Sequence, residues 1–389
     1  MRAFLGGLLT ELPLIIVQIL LARAAARRWP RFRWLAYAVA LLPILLIFLG
    51  LANLSVRVPV PGWLYFAEFL WLFTSFAAYV VFWAIRLPGL FRRRSLKKAA
   101  NSEPSANSVD VRRRDLLKTA AYAGASVPFA VGLYGSFVER LNFAVKEVDI
   151  PFPNLHPDLV GLRILQISDI HLSAYLSVAD LKRVVEATRE LKADIVMHTG
   201  DLISSPGDPL QECLDELAKI KSVAGAFGCN GNHEIYAKVV QQAKEEAAKR
   251  GIEILRGESR NLQFGQATLR LSGIDYQPFY TRAQYLAGGE FLLEPGVFNV
   301  LLSHNPDVFR KAGPMGFDLT LAGHTHGGQV RVEILNQDLN PARVYTPYVS
   351  GLYLEGGRAC YVTRGIGSVG IPARIGAPPE ITLLRLTRA

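Results

Sequence analysis

Residues 1 to about 140 contain apolar runs long enough to cross a bilayer, and such runs leave a chain few folds to choose from. In hydrocarbon every backbone N–H and C=O must be satisfied within the segment, so a run of about 20 apolar residues becomes a helix. Candidate spans run from about Phe4 to Ala24, Trp34 to Ala52 and Trp63 to Leu87. A weaker one, rich in Ala and Gly with Pro128 inside, runs from about Thr119 to Phe137. Three such runs so close together argue against buried helices of a soluble core. The expectation for residues 1–140 is an all-α transmembrane region of three to four helices.

The connecting loops carry an orientation signal, because Lys and Arg are held on the cytoplasmic side. Arg23, Arg27, Arg28, Arg31 and Arg33 lie between the first two spans, and only Arg57 lies between the second and third. Arg86, Arg92, Arg93, Arg94, Lys97, Lys98, Arg112, Arg113, Arg114 and Lys118 precede the fourth. One topology satisfies all three loops: N-terminus outside, two basic loops inside, and everything beyond residue 140 on the extracytoplasmic side of a bacterial inner membrane. Residues 101–108, rich in Asn, Ser, Ala and Pro, read as a flexible part of the second inner loop. Arg113-Arg114-Asp115-Leu116-Leu117-Lys118 resembles a twin-arginine export signal, with Leu where Phe is commoner. Such a signal is a receptor-read address, so the twin-arginine translocation machinery is an expected partner and the back domain is expected to cross already folded. Glu11, Gln18 and Glu68 interrupt the apolar runs. Glu11 and Glu68 lie toward the outer ends of their spans, where an interfacial position costs least.

The formal charge of +10 belongs to this front third, where 18 Lys+Arg face 6 Asp+Glu, whereas residues 141–389 carry 25 against 27. A nucleic-acid-binding domain would carry the excess itself, so no nucleic-acid partner is expected. Cys213, Cys229 and Cys360 are odd in number and lack CxxC spacing, which indicates neither a disulfide framework nor a zinc knuckle. Cys229 reads as a buried strand residue.

From about Val145 the pattern changes to short apolar strands alternating with helical stretches. Strand 163–168 precedes a helix near 178–191, strand 195–198 a helix near 208–220, and strand 223–228 a helix near 235–250. Paired strands follow around Gly265-Gln266, then strands near 298–303 and 317–322. The βαβα start implies a parallel sheet with its polar loops at one edge. The β-rich remainder implies a second sheet, giving an α/β fold in which two sheets pack between outer helices.

Each strand delivers chemistry at its end. The chain has seven histidines, and His171, His233, His304, His324 and His326 all stand just past apolar runs. Asp169 and His171, two residues apart, can address one ion. Asp201 supplies a carboxylate able to bridge two, Asn232 offers an amide oxygen, and His304, His324 and His326 complete two ligand sets. Mixed oxygen and nitrogen donors without thiolate suit Mn, Fe, Zn or Mg, and argue against a closed structural zinc site. Two ions about 3.5–4 Å apart would hold a phosphate ester and lower the pKa of a bridging water. His233 is then free to protonate the leaving alkoxide, with Glu234 either orienting it or serving as a helix-start carboxylate.

Singly each motif is weak. Together Asp169-x-His171, Gly200-Asp201, Gly231-Asn232-His233-Glu234, His304 and Gly323-His324-Thr325-His326 resemble the motif set of calcineurin-like metallophosphoesterases. The resemblance implies a two-sheet α/β/β/α sandwich over residues 141–389. It implies Asp169, His171, Asp201 and His326 at one divalent metal, and Asp201, Asn232, His304 and His324 at the other. Catalysis would then rest on His233, Asn232 and Asp201, with metal-activated hydroxide attacking a phosphomonoester or phosphodiester. Ser303-His304-Asn305-Pro306-Asp307, Gly327-Gly328-Gln329 and the tail from Arg364-Gly365-Ile366-Gly367 to Pro378-Pro379-Glu380-Ile381 are similar to a membrane-associated bacterial branch of that family.

Placement beside a membrane makes a lipid phosphoester an expected substrate class. Tyr276, Phe279, Tyr280, Tyr285 and Phe291 form either an apolar lip for an acyl chain or the packing of an inserted loop, and Arg364 is positioned in sequence to meet a phosphate. His156 and His198 match no ligand position. The nearest alternative is a UDP-2,3-diacylglucosamine pyrophosphatase-type hydrolase of lipid A biosynthesis, against which the topology counts because that substrate is cytoplasmic. A non-catalytic metal-binding interaction module would show lost ligands, and none is lost. A transporter-like role for the helical front is weakened by its few intramembrane polar residues.

Overall fold

A computed structural model describes residues 2–53, 62–99, 108–334 and 337–389, and the chain divides into two compact units, Met1–Ser136 and Phe137–Ala389. Arg57 and most of the expected flexible loop at 101–108 lie outside the described residues.

The first unit is helical: α1 (Arg2–Arg28), α2 (Arg33–Asn53), α3 (Gly62–Ala99) and α4 (Ser108–Phe137). Pro13, Pro43 and Pro128 sit inside helices, which water-exposed helices tolerate poorly but packed membrane helices accept. Its surface is inverted relative to a soluble bundle. Leu12, Ile16, Leu42, Leu45, Val127 and Leu133 are exposed, while Gln18, Glu68, Thr74 and Ser75 are buried. Gln18 donates to Ser75 Oγ at 2.7 Å and accepts from Trp71 Nε1 at 3.0 Å, so the polar interruption of α1 is satisfied against α3. Among the described residues two stretches are long and apolar enough to cross a membrane, Phe66–Leu87 and Asp115–Leu141. The expected spans at 4–24 and 34–52 fall on α1 and α2. The twin-arginine-like segment 113–118 is helical and continuous with the apolar part of α4.

The second unit carries, in order, β1 (Ala144–Phe152), β2 (Arg163–Ile167), α5 (Val178–Ala187), β3 (Ile195–His198), α6 (Leu210–Leu217), β4 (Ala226–Gly228), α7 (Asn232–Ala237), α8 (Val240–Ala248), β5 (Ile252–Ile254), β6 (Glu258–Phe264), β7 (Ala267–Gly273), β8 (Phe298–Leu302), α9 (Phe309–Met315), β9 (Leu319–Ala322), β10 (Val332–Ile334), β11 (Gln337–Leu339), β12 (Gly351–Glu355), β13 (Arg358–Val362) and β14 (Glu380–Arg388). One sheet has the order β1-β14-β2-β3-β4-β5 and another β12-β13-β9-β8-β7-β6, while β10 and β11 pair antiparallel as a two-stranded sheet.

Alternating residues assign the layers, since successive strand side chains face opposite sides. Ile164, Ile195, Met197 and Phe227 pack against Leu269, Leu271, Val300, Leu302, Leu319 and Leu321 between the sheets. Their neighbours Leu165, Ile167 and Val196 pack outward against Leu181, Val184, Leu214, Leu217 and Ala243 of the helices. On the far face, Leu301 packs with Val308, Ala312, Phe317 and the Tyr285-Leu286 part of the insert. The result is two mixed sheets packed face to face with helices outside.

Two departures from expectation have identifiable causes, one local and one long-range. The helix expected over 235–250 is two helices, because Lys238 takes a left-handed conformation (φ 60°) that caps α7. The first sheet is mixed rather than parallel, because β14 inserts antiparallel to β2 and parallel to β1. No local pattern in 380–388 announces that long-range pairing.

Candidate functional site

The parallel strands β2, β3 and β4 of one sheet and β8 and β9 of the other end in the polar clusters, so their carboxyl ends gather at the crevice where α/β sheets bind ligands. The chain must turn sharply there. Asp169, His171, Asp201, His324 and His326 all have left-handed backbones, with φ between 48° and 72°. Each costs a non-glycine residue on the order of 1 kcal/mol, and such strain persists only where the surroundings over-determine it. The surroundings are crowded: a Cβ on Gly323 would lie 2.2 Å from Asp169 Oδ2, and one on Gly231 would lie 2.1 Å from Asp201 Oδ1. Glycine is therefore required at both turns.

The described residues that could hold a cation fall into groups sharing members: Asp169, His171 and His326; His171, Asp201 and His233; and Asp201, His304 and His324. Asp201 Oδ2 lies 3.4 Å from His171 Nε2 and 3.1 Å from His304 Nε2. His326 Nε2 lies 3.1 Å from His171 Nε2 and 3.4 Å from Asp169 Oδ1, and His324 Nδ1 lies 3.2 Å from His304 Nε2. Donor atoms about 3 Å apart suit a common ion bonded at about 2.0–2.2 Å to each. Asn232 provides an independent test of fit. Its Oδ1 is buried with no hydrogen-bond partner, a costly condition in a protein interior that a cation would relieve. The nitrogen and oxygen donors fit a divalent metal.

Burial dominates the electrostatics, and two carboxylates share the dry site. Asp169 is pushed up to about 6 by burial, with His304 pulling it back. Burial lowers His171 and His324 to about 3 and His326 well below its usual value. Burial opposes ionisation of Asp201 too, but His304 outweighs it and holds the carboxyl below its usual range. His304 itself rises to about 10 despite burial, because Asp201 and Asp169 attract its proton. That proton occupies the place of positive charge which a metal ion would otherwise supply.

Outer partners aim the donors. His304 Nδ1 meets Thr199 O at 2.6 Å, and since a carbonyl only accepts, one hydrogen is fixed at Nδ1 and Nε2 is the nitrogen turned to Asp201, where it would offer its lone pair once a cation displaced the proton it shares with that carboxylate. Ser204 serves two histidines, its hydroxyl 3.1 Å from His171 Nδ1 and its carbonyl accepting from His233 Nδ1 at 2.6 Å. The His233 backbone N–H donates to Asp201 Oδ1 at 2.9 Å. Glu234 does not orient His233. Its buried carboxylate accepts from the backbone N–H groups of Asp201 (3.0 Å), Gly231 (2.7 Å) and Leu202 (2.7 Å), clamping two strand-end turns together. Glu234→Gln replaces one acceptor oxygen with an NH2 facing an N–H, and should cost about 1–3 kcal/mol of domain stability. A denaturant titration of metal-stripped protein checks this, and an unchanged midpoint would reject the clamp.

The remaining expectations separate cleanly. His156 caps a surface turn through Asp158 N. His198 ends β3, buried with both ring nitrogens unpartnered and lowered to about 4 by burial. Cys229 is buried and free, its thiol pushed up by burial. Arg364 pairs with Glu380 at 3.7 Å instead of standing free. The aromatic insert divides: Tyr285 is buried and packs the loop down, Tyr280 and Phe291 are exposed, and Tyr276 and Phe279 bring their rings within 5.1 Å and 5.3 Å of His324. Burial pushes the Tyr276 phenol well above its usual value.

Sequence reasoning missed Ser204 and Arg374. The Arg374 guanidinium is wholly buried, donates to the carbonyls of Arg364, Gly367, His326 and Ala377, and lies 3.2 Å from His326 Nδ1. Burial lowers it to about 10. An arginine within Ile371-Pro372-Ala373-Arg374 gives no local sign of this, although the apolar surroundings are a hint.

Comparison with known proteins agrees with the geometry. A family profile described as calcineurin-like phosphoesterase matches residues 162–328. The uncharacterized metallophosphoesterase YkuE of Bacillus subtilis is 30% identical over 279 residues, which is 68% of this chain and 91% of that protein. The phosphodiesterase YaeI of Escherichia coli is 29% identical over 71% of this chain and 98% of its own length. A transmembrane protein with metallophosphoesterase domain from Danio rerio is 32% identical over 63% of this chain and 57% of its own length.

Proposed function

We propose a function from one premise: this chain belongs to the calcineurin-like phosphoesterase family and is a metal-dependent phosphoester hydrolase. The proposal is a membrane-anchored enzyme holding two divalent ions, drawn from Mn, Zn, Fe or Mg, that hydrolyses phosphomonoesters or phosphodiesters, including those of lipids. Asp169, His171, Asp201 and His326 would hold one ion, and Asp201, Asn232, His304 and His324 the other.

The observation that carries this reading is the position of Asp201. One carboxylate oxygen stands 3.4 Å from an imidazole of one group and 3.1 Å from an imidazole of the other, a position from which a single carboxylate would serve two ions. When bound, the ions supply Lewis acidity to the phosphate and lower the pKa of water held between them. The chain does the rest. Asp201 neutralises both sites and anchors His233 through its backbone N–H. With Nδ1 engaged by Ser204 O, His233 has Nε2 to offer, and when protonated there it donates to the leaving oxygen. Asn232 adds an uncharged oxygen that leaves the net charge unchanged.

The helical unit supports membrane anchoring through its exposed apolar surface and its internally satisfied Gln18. The loop charges favour a multi-pass arrangement with the hydrolase on the extracytoplasmic side, delivered there by the twin-arginine machinery. A catalytic unit so placed favours lipid-linked phosphoesters. The test uses the full chain in detergent, stripped with chelator and reloaded with Mn, Zn, Fe or Mg. The substrates are p-nitrophenyl phosphate, bis(p-nitrophenyl) phosphate, a lysophospholipid and UDP-diacylglucosamine. Metal-dependent turnover is expected. Two bound metals with no hydrolysis of any substrate would overturn the enzymatic reading in favour of a binding module.

A further inference from the structure

A neutral site histidine that offers one nitrogen's lone pair inward carries its hydrogen on the other, and that outer N–H needs an acceptor; His326 is excepted, its outer nitrogen facing a donor, the Arg374 guanidinium at 3.2 Å. For His304 the acceptor is Thr199 O at 2.6 Å, and the outward nitrogen of His171 lies 3.1 Å from Ser204 Oγ. His324 differs in orientation: it turns Nδ1, not Nε2, toward His304 and Asp201. Its hydrogen must therefore sit on Nε2, and the polar atom facing Nε2 is Tyr276 Oη at 3.4 Å. The His324 ring also meets two aromatic rings at tilted angles, Tyr276 at 5.1 Å and Phe279 at 5.3 Å between centroids. Packing alone would restrain the ring's tilt, but a flip about the Cβ–Cγ bond, which puts Cδ2 in place of Nδ1 and Cε1 in place of Nε2, is resisted only by something that distinguishes nitrogen from carbon.

We propose that Tyr276 is a positioning residue, its hydroxyl oxygen accepting the Nε2–H of His324 and so holding Nδ1 toward the Asp201–His304 group. The inference rests on the two-ion reading above. It assigns to the aromatic insert, between β7 and β8, a task that neither loop packing nor an apolar lip would require. The bond is long at 3.4 Å, and hydrogen bonds of this kind tighten when the site is loaded. Tyr285 supplies a matched control within the same insert. Its hydroxyl accepts from Asn305 Nδ2 at 2.9 Å, and it packs in the core beneath the insert.

The experiment is calorimetric titration of chelator-stripped full-length protein in detergent with Mn or Zn alone, for wild type, Tyr276→Phe and Tyr285→Phe. Loss of an outer-sphere partner lowers metal affinity by about 10–100-fold. The expected result is that Tyr276→Phe weakens one of two binding events by that factor and leaves the other unchanged, while Tyr285→Phe weakens neither. Unchanged affinity at both sites in Tyr276→Phe, or equal weakening by Tyr285→Phe, overturns the positioning role. Failure of the two-ion reading would look different: wild type would bind a single ion. If that single affinity still falls in Tyr276→Phe alone, the positioning role stands without the second ion; if it does not, both fall.

Discussion

Asp201→Asn is expected to remove turnover almost completely and to lower the metal content of the protein together with it. The amide conserves volume and can keep one oxygen for the His233 N–H, which Asp201 Oδ1 accepts at 2.9 Å. What it loses is charge and donor chemistry at the one carboxylate lying between His171 and His304. An NH2 in place of Oδ2 would face two imidazole nitrogens without a lone pair to give an ion. Metal polarisation of a phosphate is worth several kcal/mol of transition-state stabilisation, so kcat should fall by roughly a thousandfold or more. Elemental analysis and steady-state kinetics on one preparation decide the matter. Retention of two metals with undiminished kcat would refute the bridging role.

The second large effect is expected at His233, and it should split activity from metal content. Removal of a general acid costs about 10²–10⁴-fold in rate. The His233 ring nevertheless belongs geometrically to a group with His171 and Asp201 that could itself hold a cation, and its ring lies edge-on to His171 at 4.6 Å. His233→Ala separates the two roles. As an acid, His233 can be lost with both metals retained, and the loss should be greater for an alkyl ester than for a nitrophenyl ester, whose good leaving group needs no proton. A variant that loses metal and slows equally on both substrates would make His233 a ligand.

The candidate donors could be read from the chain because their signals are local. A short apolar run, a small residue and a donor two residues on is a strand end presenting a side chain, and five such ends appear in order. Asp169, His171, Asp201, His304, His324 and His326 stand in groups that share members and whose donor atoms lie within 4.8 Å of one another. The groups that aim those donors left no such trace. Glu234 follows His233 immediately yet binds the turns of Asp201 and Gly231, because the side chain of a helix's first turn points back at the neighbouring strand end. Thr199, and Ser204 toward His233, act through a carbonyl, which every residue has.

The amino-acid sequence thus determined the succession of strands and helices between about residues 163 and 322, the residue types at the strand ends and the apolar character of the front helices. Each of these depends only on residue type and short-range periodicity. The tertiary structure alone decided that β14 enters the first sheet between β1 and β2, that Arg374 lies buried against His326, and that Tyr276 reaches His324. Those contacts join residues 48 positions apart or more, and such pairings come from the packing of two sheets face to face, a global property that no window of sequence contains.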